Sequence, residues 1–96
     1  MRDNGYIPSI VQTAEECYIC HRQGDLARHE PLDGIGRRQK SKALGLWVRL
    51  CPYHHDVSHK DRDLQDLLRA DCQRAAMKRY GWTTEQFISE FGRNYL

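Results

Sequence analysis

No segment of this sequence approaches the roughly 20 consecutive apolar residues that cross a bilayer, and Met1 to Gln12 lacks the continuous apolar stretch of an export signal. A membrane role is not expected, and the expected compartment is a reducing one. There is no internal repeat and no low-complexity segment, so neither a solenoid nor a linker is in view. A charge excess is missing too: 15 basic residues face 13 acidic ones for a net charge of +2, and the total carries no argument for a polyanionic partner. Large apolar side chains are few, with two Trp and two Phe in 96 residues. A core this thin leaves little stability once the ordering entropy of the backbone is subtracted, so a covalent or metal staple is expected.

Four cysteines are present, and in a reducing compartment paired thiols point to metal rather than to disulfides. Cys17-x2-Cys20 and Cys51-x2-His54, with thirty residues between them, are two halves of a site. Each is a tight turn that can place two ligands on one ion, and zinc in a structural role takes four tetrahedral sulfur and nitrogen ligands. Such a site supplies on the order of 10 kcal/mol of folding free energy. His21 adjoins the first half, which the two cysteines already fill, and Cys72 stands outside both pairs.

Residues 1–13 read as an arm that packs late or not at all, with Gly5, Pro8 and a short apolar patch at Ile7, Ile10 and Val11. After the Cys17–Cys20 knuckle and a turn at Gln23-Gly24-Asp25, Leu26 to Glu30 is expected to form a strand. Leu46 to Leu50, rich in β-favouring side chains, is expected to form its hairpin partner. Between them Pro31, Gly34, Gly36 and the basic run Arg37, Arg38, Lys40 and Lys42 read as a long surface loop that meets phosphates. Pro52 suits a helix start, predicting a helix to about His59. Leu64, Leu67, Leu68, Cys72, Ala75, Ala76 and Tyr80 recur at helical spacing up to Gly81. A last helix, capped by Thr83 or Thr84, would bury Phe87, Ile88 and Phe91 and stop at Gly92.

Three histidines fall within six residues at His54, His55 and His59. Adjacent helical residues point about 100° apart and residues four apart share a face, so His54 can meet the zinc while His55 and His59 point together elsewhere. Two histidines at that spacing grip a divalent ion, and His29 at the end of the first strand is the natural third group. Glu30 beside it adds a carboxylate. A single histidine would read as a solvated or hydrogen-bonded side chain, but three converging on one hairpin and helix read as a site.

The order Cys17-x2-Cys20, strand with His29, strand, Cys51-x2-His54 and His55-x3-His59 resembles the zinc-containing HNH endonucleases of the ββα-metal class, and most of all the small HNH-like proteins of bacteriophages and prophages. The likeness covers Cys17 to His59 and, more loosely, the tail from Phe91 to Leu96. Where the family has Asp-His or His-His this chain reads Arg28-His29-Glu30, and the place of the middle asparagine is taken by Gly45 and Leu46. The resemblance implies an α+β fold: a small zinc-stapled ββα-metal unit followed by a C-terminal helical pair. It implies metal-dependent hydrolysis of DNA phosphodiester bonds, with His29 as general base, Glu30 as supporting carboxylate, and His55 and His59 as ligands of a catalytic Mg2+, Mn2+, Ni2+ or Zn2+ beside the structural Zn2+.

The expected organisation is a single domain over residues 1–96, with an arm to residue 14, a zinc core over 15–60 and helices over 61–96. The expected setting is the cytoplasm of a bacterial host cell. DNA is the expected partner, with a host or phage protein as the other candidate. A non-catalytic nucleic-acid-binding zinc module and a protein-binding factor are the competing functions.

Overall fold

The computed structural model describes residues 5–96, so the first four residues of the expected arm lie outside the described residues. The elements run β1 (Ala27–His29), α1 (Arg37–Leu44), β2 (Val48–Leu50), α2 (Pro52–Ser58), α3 (Arg62–Tyr80) and α4 (Thr84–Phe91). β1 and β2 pair antiparallel, with Ala27 opposite Leu50, Arg28 opposite Arg49 and His29 opposite Val48. This hairpin, α2 and the adjacent ligand cluster form a ββα-metal unit, and α3 and α4 follow as a helical pair, as the sequence leads one to expect. Among the described residues no helix is long and apolar enough to cross a membrane.

Both strands are shorter than the expected 26–30 and 46–50. Pro31 limits β1, because it has no N–H to donate to a ladder. Leu46 is still tied to a helix end, its N–H donating to the Ser41 carbonyl.

The segment between the strands departs most from expectation, because its basic run is helical and not a loop. Arg37–Leu44 reads RRQKSKAL, built of strong helix formers and bracketed by Gly36 and Gly45 in the left-handed region. The helix sends its cations inward or onto neighbours. The Arg37 guanidinium lies against Gly34 and Gly92, Arg38 Nε donates to Glu30, Lys40 pairs with Glu90 at 3.2 Å, and Lys42 Nζ sits 4.9 Å over the Tyr6 ring.

The arm also differs from expectation, because its described part is packed. The N–H groups of Ile7 and Ile10 donate to the carbonyls of Lys42 and Gly45, and Trp47 Nε1 donates to the Ile7 carbonyl at 2.9 Å. Gln12 is buried, and its side-chain oxygen accepts the Arg49 N–H at 2.9 Å. These bonds use backbone groups that a short apolar patch does not advertise.

Gly45 is where the strap crosses the helix end. Its φ is +76°, and a Cβ there would come within 2.6 Å of the Pro8 carbonyl oxygen. The left-handed conformation alone costs a non-glycine residue about 1–2 kcal/mol, and the contact is with backbone that cannot turn aside. Gly45→Ala is therefore expected to destabilise the fold by about 2–4 kcal/mol, read from denaturant unfolding of the zinc-loaded chain. A loss under about 0.5 kcal/mol would show that the arm is not held there.

Two apolar clusters share α3. At the metal end Leu68 joins Cys17, Val48, Leu50 and Cys51. At the far end Cys72 and Ala76 join Leu32, Leu46, Phe87 and Phe91. The stripe Leu68, Cys72, Ala76 follows the four-residue spacing that keeps one helix face inward. Asp61 caps α3 by accepting from the Asp63 and Leu64 N–H groups, and Thr83 with Gln86 forms a reciprocal capping box on α4. Ile88, expected on the buried face of α4, is exposed. The buried Gln73 side chain holds the tail, donating to Asn94 Oδ1 at 2.8 Å and accepting the Tyr95 N–H at 2.7 Å.

Candidate metal centres

The knuckle forms because the Cys17 N–H donates to the Arg22 carbonyl and the His21 N–H returns to the Cys17 carbonyl, both bonds of ordinary length at 2.8 and 2.9 Å. His21 takes a φ of +66° to close it. The Tyr18 N–H donates to the Arg49 carbonyl at 2.8 Å, which docks the knuckle on β2. The second half is the start of α2: Cys51 is its N-cap, Pro52 is at its first turn, and the Cys51 sulfur accepts the His54 N–H at 3.4 Å.

These two halves bring Cys17, Cys20, Cys51 and His54 together, with every ligand atom within 4.8 Å of the others. Cys20 Sγ and Cys51 Sγ are 3.9 Å apart, and His54 Nδ1 is 3.3 Å from Cys51 Sγ and 3.7 Å from Cys17 Sγ. Two sulfurs at zinc-bond length from one tetrahedral ion would stand about 3.8 Å apart, so the donor set and its spacing fit zinc. All four cysteines are free thiols. Burial pushes the Cys17 thiol up, but backbone N–H groups of Cys20, Cys51 and Ile19 aimed at its sulfur outweigh this and bring it down to about 6. That favours the thiolate, the form that binds metal. Cys72 is fully buried in the distal core, which raises its thiol far above the usual range and leaves it a packing residue.

A second cluster adjoins α2, about 100° around the helix from the first. His29, His55 and His59 each offer a nitrogen within 4.8 Å of the others, and their ring centroids are 4.9–5.6 Å apart. Three nitrogens on one ion of zinc size would stand about 3.4 Å apart, a contraction within reach of side-chain rotation. His29 comes from the end of β1, and His55 and His59 lie one turn apart on α2 and its C-cap. Burial, followed by the neighbouring His55 and His59, lowers the pKa of His29, although Gln65 and Glu30 oppose the shift. Burial and His59 lower that of His55. Neutral imidazoles keep the lone pairs that a metal or a proton needs.

The three histidines open into a cavity of about 330 Å³, with Glu30, Arg38 and Gln65 also in its wall. Glu30 is buried beside His29 but outside the histidine cluster. Its two oxygens are occupied, one by the Tyr6 hydroxyl at 2.8 Å and the other by Arg38 Nε at 3.3 Å. Burial and then the Glu30 carboxylate raise the Tyr6 hydroxyl to about 12, so it remains the donor of that bond. Glu30 therefore ties the arm and α1 to the end of β1, and its negative charge stands behind the histidines.

Sequence reasoning missed Gln65, whose Oε1 lies 2.8 Å from His29 Nε2. No motif announces it, since it meets His29 only because α3 folds back across the hairpin. Of the basic run, Arg38 alone reaches the histidine cavity, while Lys40 and Lys42 are occupied elsewhere as described above and Arg37 lies against Gly34 and Gly92 with its Nε buried and without a hydrogen-bond partner among the described residues. Comparison with family models, with curated proteins and with solved structures finds no match for this chain.

Proposed function

We propose that this chain is a zinc-containing nucleic-acid-binding module in which the zinc builds the fold and the three-histidine cavity faces a backbone phosphate. The observation that carries the reading is that one seven-residue helix, α2, with its caps supplies Cys51 and His54 to a cluster completed by Cys17 and Cys20, and His55 and His59 to a second cluster completed by His29 of β1. A structural site alone has no use for the second set of ligands.

The surroundings of His59 support a phosphate path. A second cavity of about 400 Å³ shares His59 and Gln65 with the first, and Lys60, Arg62, Arg69 and Arg93 wall it with no carboxylate among them. Lys60 pairs with Asp56 and Arg62 with Asp66 at the exposed surface, and surface pairs of this kind contribute under about 1 kcal/mol. They can exchange a carboxylate for a phosphate at little cost. Arg93 makes no ion pair among the described residues and rests 5.5 Å from the centre of the Tyr95 ring.

A second reading, an HNH-type endonuclease that hydrolyses DNA, is favoured by the burial and neutrality of His29 next to two potential ligands. A divalent ion held by His55 and His59 would supply Lewis acidity to the scissile phosphate. His29 would accept the proton of the attacking water, and Arg38 and the His59-side cations would hold the flanking phosphates.

Fluorescence anisotropy with labelled duplex, single-stranded DNA and RNA across a salt series tests the binding reading. The zinc-loaded chain is expected to bind with an affinity that falls steeply with salt. Changing Lys60, Arg62 and Arg93 to Ala is expected to weaken binding at all sequences alike and to reduce the salt slope by about 0.9 per lost phosphate contact on duplex DNA. Changing Lys40 to Ala should alter the slope little, because Glu90 holds its ammonium through both side chain and backbone. Absence of salt-dependent binding to any nucleic acid would overturn the reading.

A further inference from the structure

We infer that Gln65 is the positioning residue of the histidine cavity: it fixes His29 as the tautomer protonated at Nε2 and so leaves the Nδ1 lone pair as the one that meets a metal ion or a proton. The argument starts from the two different ends of an amide. Gln65 Nε2 lies 3.1 Å from the Pro31 carbonyl oxygen, which can only accept. The NH2 end must therefore face Pro31, and the oxygen end must face His29. Gln65 Oε1 is 2.8 Å from His29 Nε2, and an amide oxygen cannot donate, so the hydrogen between them belongs to the ring nitrogen. A neutral imidazole carries one N–H, which leaves Nδ1 bare.

The alternative arrangement is disfavoured twice over. Turning the amide round would place two oxygens against each other at Pro31 and discard a hydrogen bond in a part-buried setting. The anchor itself is well held. The Pro31 carbonyl also accepts Arg69 Nε at 3.1 Å, and Arg69 is fixed by Asp33 at 3.1 Å and Asp66 at 2.9 Å. Gln65 sits in the first turn and a half of α3, with its N–H on the carbonyl of the Asp61 cap. The helical pair is thus more than a packing partner of the zinc unit, because its first turns set which nitrogen of His29 is chemically available.

This inference deepens the three-histidine site proposed above, yet its first readout needs neither metal at that site nor activity. Long-range proton–nitrogen correlation spectra of the full ¹⁵N-labelled chain, with one equivalent of zinc at pH 8, report the tautomer of each histidine. His29 is expected to show a protonated Nε2 and a lone-pair Nδ1. In Gln65→Leu the two tautomers should mix. A second readout is titration with Mn2+, where Gln65→Leu is expected to bind about 10–100-fold more weakly at the histidines while keeping its one zinc. Wild-type His29 protonated at Nδ1, or an unchanged tautomer in a folded Gln65→Leu, would overturn the inference. If Gln65→Leu does not fold, the wild-type spectrum decides, because it alone shows which nitrogen of His29 carries the proton. The expected tautomer together with no Mn2+ binding at all would instead count against the proposed histidine metal site.

Discussion

Replacing Cys17 or Cys51 with serine is expected to abolish the cooperative thermal transition of this chain. Both sulfurs are buried within the metal-end cluster, where they stand among Val48, Leu50 and Leu68 in place of a larger apolar core. A structural zinc contributes on the order of 10 kcal/mol, which is comparable to the whole stability of a typical domain at about 5–15 kcal/mol. Loss of one of four ligands leaves too little to hold the hairpin against α2 and α3. Circular dichroism melts, read beside zinc content, give the check, and a strong chelator should reproduce the effect in the wild type. A serine variant that melts cooperatively near the wild-type temperature without zinc would remove the metal from the account of folding.

The cluster of Cys17, Cys20, Cys51 and His54 was legible in the sequence because ligand spacing is a local property: a Cys-x2-Cys turn and a Cys-x2-His helix start can be read without knowing what they pack on. The structure brings all four together. The helices from Arg62 and Thr84 were legible for a similar reason, since Gly81, Thr83 and Gly92 act on their immediate neighbours. The basic run misled. Arg37 to Lys42 has the composition of a surface loop, and α1 buries only Ser41, so there was no apolar stripe to betray a helix. The arm was illegible because it is held by backbone bonds to the far end of α1. Glu30 read as a supporting carboxylate, but its bonds to Tyr6 and Arg38, 24 and 8 residues away, could not be read from the sequence. Gln65 lies 36 residues from His29, and only the tertiary fold joins them.

His29→Ala, His55→Ala and His59→Ala are expected to separate chemistry from folding. None of the three belongs to the cluster of Cys17, Cys20, Cys51 and His54, so each variant should keep its zinc, its helical circular dichroism and a melting temperature near that of the wild type. On the endonuclease reading, relaxation of supercoiled plasmid in Mg2+, Mn2+, Ni2+ or Zn2+ should nevertheless fall sharply. Loss of His29 removes a general base, worth about 10² to 10⁴ in rate, and added metal should not restore it. Loss of His55 or His59 weakens ion binding, so excess metal should restore part of the rate. Wild-type protein that nicks in no metal would leave the binding module without the hydrolase. Three variants that nick as well as wild type would separate the cavity from the cleavage.

Metal stoichiometry with ligand identity is the most direct measurement of whether α2 serves two ions, one on each face. Zinc is added to one equivalent, and its X-ray absorption is expected to show a shell of three sulfurs and one nitrogen. A second equivalent, of Mn2+ or Co2+, is then expected to bind more weakly in a nitrogen and oxygen shell that His55→Ala and His59→Ala lose and Cys17→Ser does not report, having unfolded. A first zinc bound through nitrogen and oxygen alone, or a second ion retained unchanged in His55→Ala and His59→Ala, would contradict the assignment of the two faces.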